Sequence, residues 1–226
     1  MTSVIPGIFV TSTGTSSGKT WVSRGIARAL LGRGRSVAAL KPIETGCTPE
    51  PADAAALERA CRRSSLAHAS GLYRSHLPLA PRAASLELGT AAPELASLAR
   101  TTRALAAPGD FLLVEGAGGL LTPLDATHTI ADLARTLELP LLIVAPDALG
   151  VISHVLSLVE SAHARALPIA AIVLSAHVAA ADDPSPRTNR RILTERLDMP
   201  VLAFARSADD DDALADAAER AGLLDL

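Results

Sequence analysis

The stretch Ser12–Thr13–Gly14–Thr15–Ser16–Ser17–Gly18–Lys19–Thr20 decides the fold. It follows the short apolar run Ile8–Thr11 and leads into Thr20–Leu31, where Val22, Ile26, Ala29 and Leu30 recur at helical spacing. A strand, a loop of small residues and a helix opening on Gly–Lys–Thr make a phosphate cradle. Small residues let backbone N–H groups converge on phosphate oxygens, and the helix N-terminus adds a favourable dipole. Ser16, Ser17 and Gly18 supply such amides, Lys19 reaches the β- and γ-phosphates as a point charge, and the Thr20 hydroxyl suits Mg²⁺. The loop is a variant, because the usual pattern has glycine five positions before Gly18, where Thr13 stands.

Outward from the loop, five more short apolar runs alternate with helical patterns. Ser36–Leu40, Phe111–Glu115, Leu141–Ala145, Ile169–Ser175 and Val201–Phe204 are apolar on both faces, as buried parallel strands are. Ala52–Arg62, Glu94–Leu105, Thr129–Leu137, Val151–Arg165 and Asn189–Leu197 are the expected further helices. This alternation predicts an α/β fold of P-loop NTPase type: a mostly parallel sheet with helices on both faces. Residues 1–226 form a single domain by length, with 63–93, which contains Pro78, Pro81 and Pro93, as a surface excursion. Ligands of such a fold lie at the carboxyl ends of the strands, where each motif falls.

Composition narrows the class. Aromatic residues are 2% of the chain and apolar residues 49%, so the core is aliphatic. The formal net charge is −3 with no basic block, which argues against nucleic acid as a partner. No apolar run reaches the roughly 20 residues that span a bilayer, so a membrane is not expected. Met1–Gly7 lacks a secretory pattern, and Cys47 and Cys61 carry no pairing motif; the cytoplasm, with reduced thiols, is the simplest compartment. The run Asp209–Asp212 reads as a solvated helix start.

Three further strand ends carry chemistry. Lys41–Pro42–Ile43–Glu44–Thr45–Gly46 closes the second strand. Alone, Lys41 is explained somewhat better as an exposed structural lysine than as a phosphate or carboxylate ligand. Asp53 opens the next helix, where a carboxylate stabilises the dipole. Glu115–Gly116–Ala117–Gly118–Gly119 ends the Phe111–Glu115 strand. A plain turn explains its glycines, but a charge on a buried strand needs a cation or partner. Gly150–Val151–Ile152–Ser153–His154 opens a helix whose free N–H groups suit a carboxylate, and His154 reads as a packed side chain.

In this order and spacing the motifs resemble the dethiobiotin synthetases, from Phe9 to about Pro200. The most specific parts are Gly18–Lys19–Thr20, Lys41–Pro42 with Thr45–Gly46, and Glu115–Gly116–Ala117–Gly118–Gly119 with Thr122–Pro123. The resemblance implies ATP-dependent closure of the ureido ring of dethiobiotin from diaminopelargonate and CO₂, in biotin biosynthesis. It implies Lys19 and Lys41 as the catalytic cations, and Thr20, Asp53 and Glu115 around Mg²⁺. Thr15, Lys41, Thr45, Gly118 and Gly119 would line the substrate. Gly150, Val151 and Ser153 would receive the substrate tail across a homodimer interface.

The chain also departs from that family. Ser12–Thr13–Gly14–Thr15 replaces the usual Gly–Thr–Asp–Thr, and Ser153–His154 replaces Asn–His. Ser175 stands where the family has the Asn that contacts adenine, and serine has no amide for paired contacts. The family's Pro-containing segment after the last strand is replaced by Ala205–Arg206–Ser207. Relaxed base choice follows as an expectation. The competing readings are an amide synthase of the cobyrinate type, a ParA/MinD-like ATPase and a paralogue that binds nucleotide without turnover. Against the first stands the chain's length, which leaves little room for a glutaminase domain. Against the second stands the missing early loop lysine.

Overall fold

A computed structural model describes residues 6–107, 109–178 and 182–226. Most of the Met1–Gly7 segment lies outside them. Six strands form one parallel sheet in the order β2-β5-β1-β6-β7-β8. They are β1 (Gly7–Ser12), β2 (Val37–Leu40), β5 (Phe111–Glu115), β6 (Leu141–Pro146), β7 (Ile169–Ser175) and β8 (Val201–Phe204). These are the six strands expected from the sequence, with ends shifted by one residue or less. The central strands are buried on both faces, because helices cover both.

Strand β1 sits at the middle of the sheet, with β5 on one side and β6 on the other. The chain leaves β1 for β2 at one edge, returns through β5, then crosses to β6 and builds out to β8. The crevice beside the carboxyl end of β1 is therefore the topological switch point, where this architecture binds ligands. Helix α1 (Lys19–Gly32) starts there and packs between α2 (Ala52–Ala60) and α8 (Asp211–Arg220). Elsewhere α4 (Leu95–Ala104) packs on α5 (Ile130–Leu137), and α6 (Val151–His163) on α7 (Pro186–Arg196). Thr129 and Asp132 form a capping box at the start of α5.

The excursion at 63–93 is more ordered than its sequence suggests. Strand β3 (Ile43–Thr45) pairs in parallel with β4 (Tyr73–Ser75), and α3 (Pro81–Leu88) follows with Pro81 in its first turn. This small sheet ties the excursion to the segment that follows Lys41. The Asp209–Asp212 run does start a helix: Asp210 accepts the N–H groups of Asp212 and Ala213 as the N-cap of α8. It is also paired, since Arg24 bridges Asp209 and Asp211. Cys47 and Cys61 are free and buried, and burial pushes both thiols up, as expected of packed side chains. Among the described residues no helix is long and apolar enough to cross a membrane.

Candidate functional site

The loop between β1 and α1 takes left-handed backbone at Ser16 (φ 53°) and Gly18 (φ 87°), not at Gly14. Gly18 is the N-cap of α1 and is held against β7: a Cβ there would lie 2.6 Å from Ser175 Oγ. Ser16, which has a Cβ, bears a local strain of about 1–2 kcal/mol that the surrounding loop must hold. Lys19 folds back over the loop, donating to Ser12 Oγ at 2.9 Å and to the Gly14 carbonyl at 3.2 Å. Ser17 Oγ donates to the same carbonyl at 3.1 Å. Ser12, in place of the family's Gly, thus supplies an anchor for the lysine.

Three elements meet at Glu115, which is fully buried at the end of β5. Its Oε1 accepts Thr20 Oγ1 from α1 at 2.8 Å and Lys41 Nζ from the end of β2 at 2.9 Å. Lys41 Nζ also donates to Asp53 Oδ2 at the start of α2. Lys41 is therefore buried between two carboxylates, not an exposed structural lysine. Glu115 Oε2 is buried and lacks a hydrogen-bond partner among the described residues. An orphaned carboxylate oxygen beside a threonine hydroxyl and a second carboxylate is a donor set that fits a hard cation such as Mg²⁺.

Glu44 and Arg74 build the support for this cluster, and neither was expected from the sequence. Helix α2 has Pro51 at its N-cap position and no side-chain cap of its own. The buried Glu44 replaces it, accepting Asp53 N–H and Ala54 N–H at 2.9 Å each. That fixes the first turn and so aims Asp53 at Lys41. The Arg74 guanidinium donates to the Lys41 carbonyl at 3.0 Å and to the Ala67 carbonyl at 2.8 Å, fixing the exit of β2.

Electrostatics separate the two lysines. Burial would depress Lys41, but the Glu115 and Asp53 carboxylates outweigh it and hold the ammonium above the usual lysine range. Burial dominates at Lys19: it lowers the ammonium to about 8, opposed by Glu115 and helped by Lys41. A bound polyphosphate raises that value, so the sign of the linkage is defined. The Lys19 contribution to affinity is complete below pH 8 and is lost as pH rises from there through the bound-state value. Calorimetry at pH 8 in buffers of different ionisation enthalpy is expected to show uptake of about half a proton on ATP binding. No uptake, or release, contradicts a lowered Lys19.

Two cavities open on either side of the loop. One, of about 860 Å³, holds Ser16, Ser17, Gly18, Lys19 and Thr20 with Lys41, Asp53 and Glu115, and extends to Trp21, Arg24, His177 and Asp209–Asp211. The other, of about 570 Å³, is lined by Thr13, Thr15, Gly118 and Gly119 with the apolar Leu120, Leu121 and Leu158 and with His154. Thr45 lies on β3 opposite Ser75 and lines neither. Ser175 is fully buried beneath Gly18 and also lines neither. Gly150 and Ser153 border a separate depression of about 670 Å³ with Leu149 and Ile152, while Val151 is buried.

The comparisons agree with this geometry. A family model described as an AAA domain matches residues 6–206. The chain is 42% identical over 184 residues to ATP-dependent dethiobiotin synthetase BioD of Anaeromyxobacter dehalogenans, covering 81% of this chain and 82% of that one. It is 37% identical over 202 residues to the protein of that name from Aquifex aeolicus, covering 89% and 90%. Among solved structures, the septum site-determining protein MinD of Pyrococcus horikoshii, complexed with Mg-ADP, superposes with TM-score 0.56 at 14% identity, covering 94% and 86%. That likeness shows the fold alone. The phosphate loop, the Lys41–Asp53–Glu115 cluster and the relatives that span most of the chain converge: this chain belongs to the ATP-dependent dethiobiotin synthetase family of P-loop NTPases.

Proposed function

We propose that the protein closes the ureido ring of dethiobiotin from diaminopelargonate, CO₂ and ATP. The observation that carries this reading is the pair of cavities sharing one loop. The polar one concentrates two lysines and two carboxylates for phosphoryl transfer, and the other offers leucine walls for an aliphatic chain.

One amine of the substrate adds CO₂ and loses a proton, giving a carbamate. A carbamate is a poor electrophile, so its oxygen accepts the γ-phosphoryl group of ATP and ADP leaves. The second amine attacks the carbonyl carbon of this mixed anhydride, phosphate departs, a proton is lost and the ring closes. Phosphoryl transfer of this kind needs positioning and charge neutralisation, not a protein nucleophile. Lys19 and Lys41 neutralise the carbamate and the transferring group. Ser16, Ser17 and Gly18 hold phosphates by backbone N–H, and Thr15 covers phosphate or carbamate oxygens. Thr20, Asp53 and Glu115 would hold Mg²⁺, which supplies charge neutralisation at the phosphates. Gly118 and Gly119 line the substrate beside Thr15.

The protein acts as a homodimer. Leu149 is 85% exposed at the start of α6 and Leu121 is 46% exposed at the rim of the second cavity, which supports a covering subunit. Gly150, Val151 and Ser153 then present the open N-terminus of α6 to the substrate carboxylate of the other subunit.

Purified protein with Mg²⁺, ATP and bicarbonate is expected to release phosphate only when diaminopelargonate is present, and to sediment as a dimer under those conditions. Diamine-independent hydrolysis, or none, would sink the synthetase reading. A monomer at full turnover would sink the shared site.

A further inference from the structure

The cavity that holds the phosphate loop continues well past it. The Lys41–Asp53–Glu115 cluster marks the end for the terminal phosphate. From there the cavity passes over the first turn of α1 to Trp21, Arg24, His177 and the Asp209–Asp211 run. The nucleoside must occupy this opposite end.

That end contains one aromatic pair. The Trp21 and His177 rings have centroids 3.7 Å apart and planes inclined by 34°. Trp21 follows Thr20 directly on α1, and His177 follows β7 by two residues, so the pair bridges the loop's helix and the end of the sheet. His177 is half-buried, and its Nδ1 is buried with no hydrogen-bond partner among the described residues. Protein covers Nδ1, so a ligand in the cavity meets the face of the ring and its other nitrogen, Nε2. Burial and the nearby Arg206 hold the imidazole below the usual histidine range, despite Asp209, which favours the neutral ring. A neutral ring can form a hydrogen bond to a base and stack without placing a charge against it.

Ser175 has a different task. It is fully buried, its Oγ faces Gly18, and it accepts the His177 backbone N–H at 3.4 Å. It braces the loop and holds the histidine turn instead of lining the cavity.

We propose that His177, stacked on Trp21 and held by Ser175, is the residue of this chain that contacts the nucleotide base. The inference rests on the reading that ATP occupies this cavity, and the test separates the two. Trp21 is the sole tryptophan, so its emission reports the base end directly. ATP is expected to change Trp21 emission, and inorganic tripolyphosphate, which has no base, to bind without that change. In calorimetry, His177→Ala is expected to weaken ATP by about tenfold or more, a loss of about 1.4 kcal/mol, and to leave tripolyphosphate within about twofold. His177→Phe keeps the stack but removes the ring nitrogens, and is expected to lose ATP affinity as well. Unchanged ATP affinity in either variant, or equal losses for ATP and tripolyphosphate, overturns the assignment. If the wild-type protein binds tripolyphosphate no more weakly than ATP, the nucleotide reading fails first.

Discussion

Lys41→Met is expected to lower kcat by about 10²–10³-fold while the protein still folds. Lys41 Nζ touches both Asp53 and Glu115, and it faces the cavity that holds the phosphate loop. Methionine keeps most of the volume and removes the charge. Among the side chains of the cluster, charge neutralisation at the transferring phosphoryl group then rests on Lys19. The variant also removes the ammonium in contact with the fully buried Glu115, a loss of the order of 3–5 kcal/mol in a chelator. Mg²⁺ is expected to restore part of that stability, because it answers the same carboxylate. Steady-state kinetics with thermal melts in chelator and in Mg²⁺ give both readouts. Turnover close to wild type would return Lys41 to a structural role.

Glu115→Gln is the second large effect. The substitution keeps shape and burial and still offers an acceptor to Thr20 and Lys41. It removes the negative charge and places an amide where Oε2 now lacks a partner. Half-saturation by Mg²⁺ is expected to rise by tenfold or more, with kcat falling by about 10²-fold even at saturating metal. A Mg²⁺ titration of turnover gives both numbers. Low turnover with an unchanged Mg²⁺ midpoint would show that Glu115 serves only to hold Lys41.

The sheet was legible because buried parallel strands are continuous apolar runs, and all six main strands have that form. β3 and β4 were not, because each has three residues and includes Glu44, Tyr73 or Arg74. Their pairing depends on contacts between residues about 30 apart in the chain, for which there is no local pattern. Pro81 at the start of α3 was the signal that the excursion contains a helix.

At the site, Lys19, Thr20 and Glu115 were visible as strand-end and loop chemistry. The burial of Lys41 was not, because its partners lie 12 and 74 residues away. Glu44 escaped notice for a related reason. It binds backbone N–H groups of a helix, and any residue type there would supply them. The variant loop also behaves differently from its spelling. The left-handed turns fall at Ser16 and Gly18, and Ser12 anchors Lys19, so the displaced glycine at 14 leaves the cradle intact. Ser175 stands at the end of β7 as expected but is buried beneath Gly18, and His177, two residues on, lines the cavity.

In the proposed reaction ATP activates a carbamate carbon so that a diamine can close on it. Carbon-13-labelled bicarbonate tests it directly, with mass spectrometry of the product and phosphate measured in parallel. The expected product is dethiobiotin carrying the label at its ureido carbon, formed in equal amount to the phosphate released. Phosphate released without labelled dethiobiotin would contradict the proposed reaction.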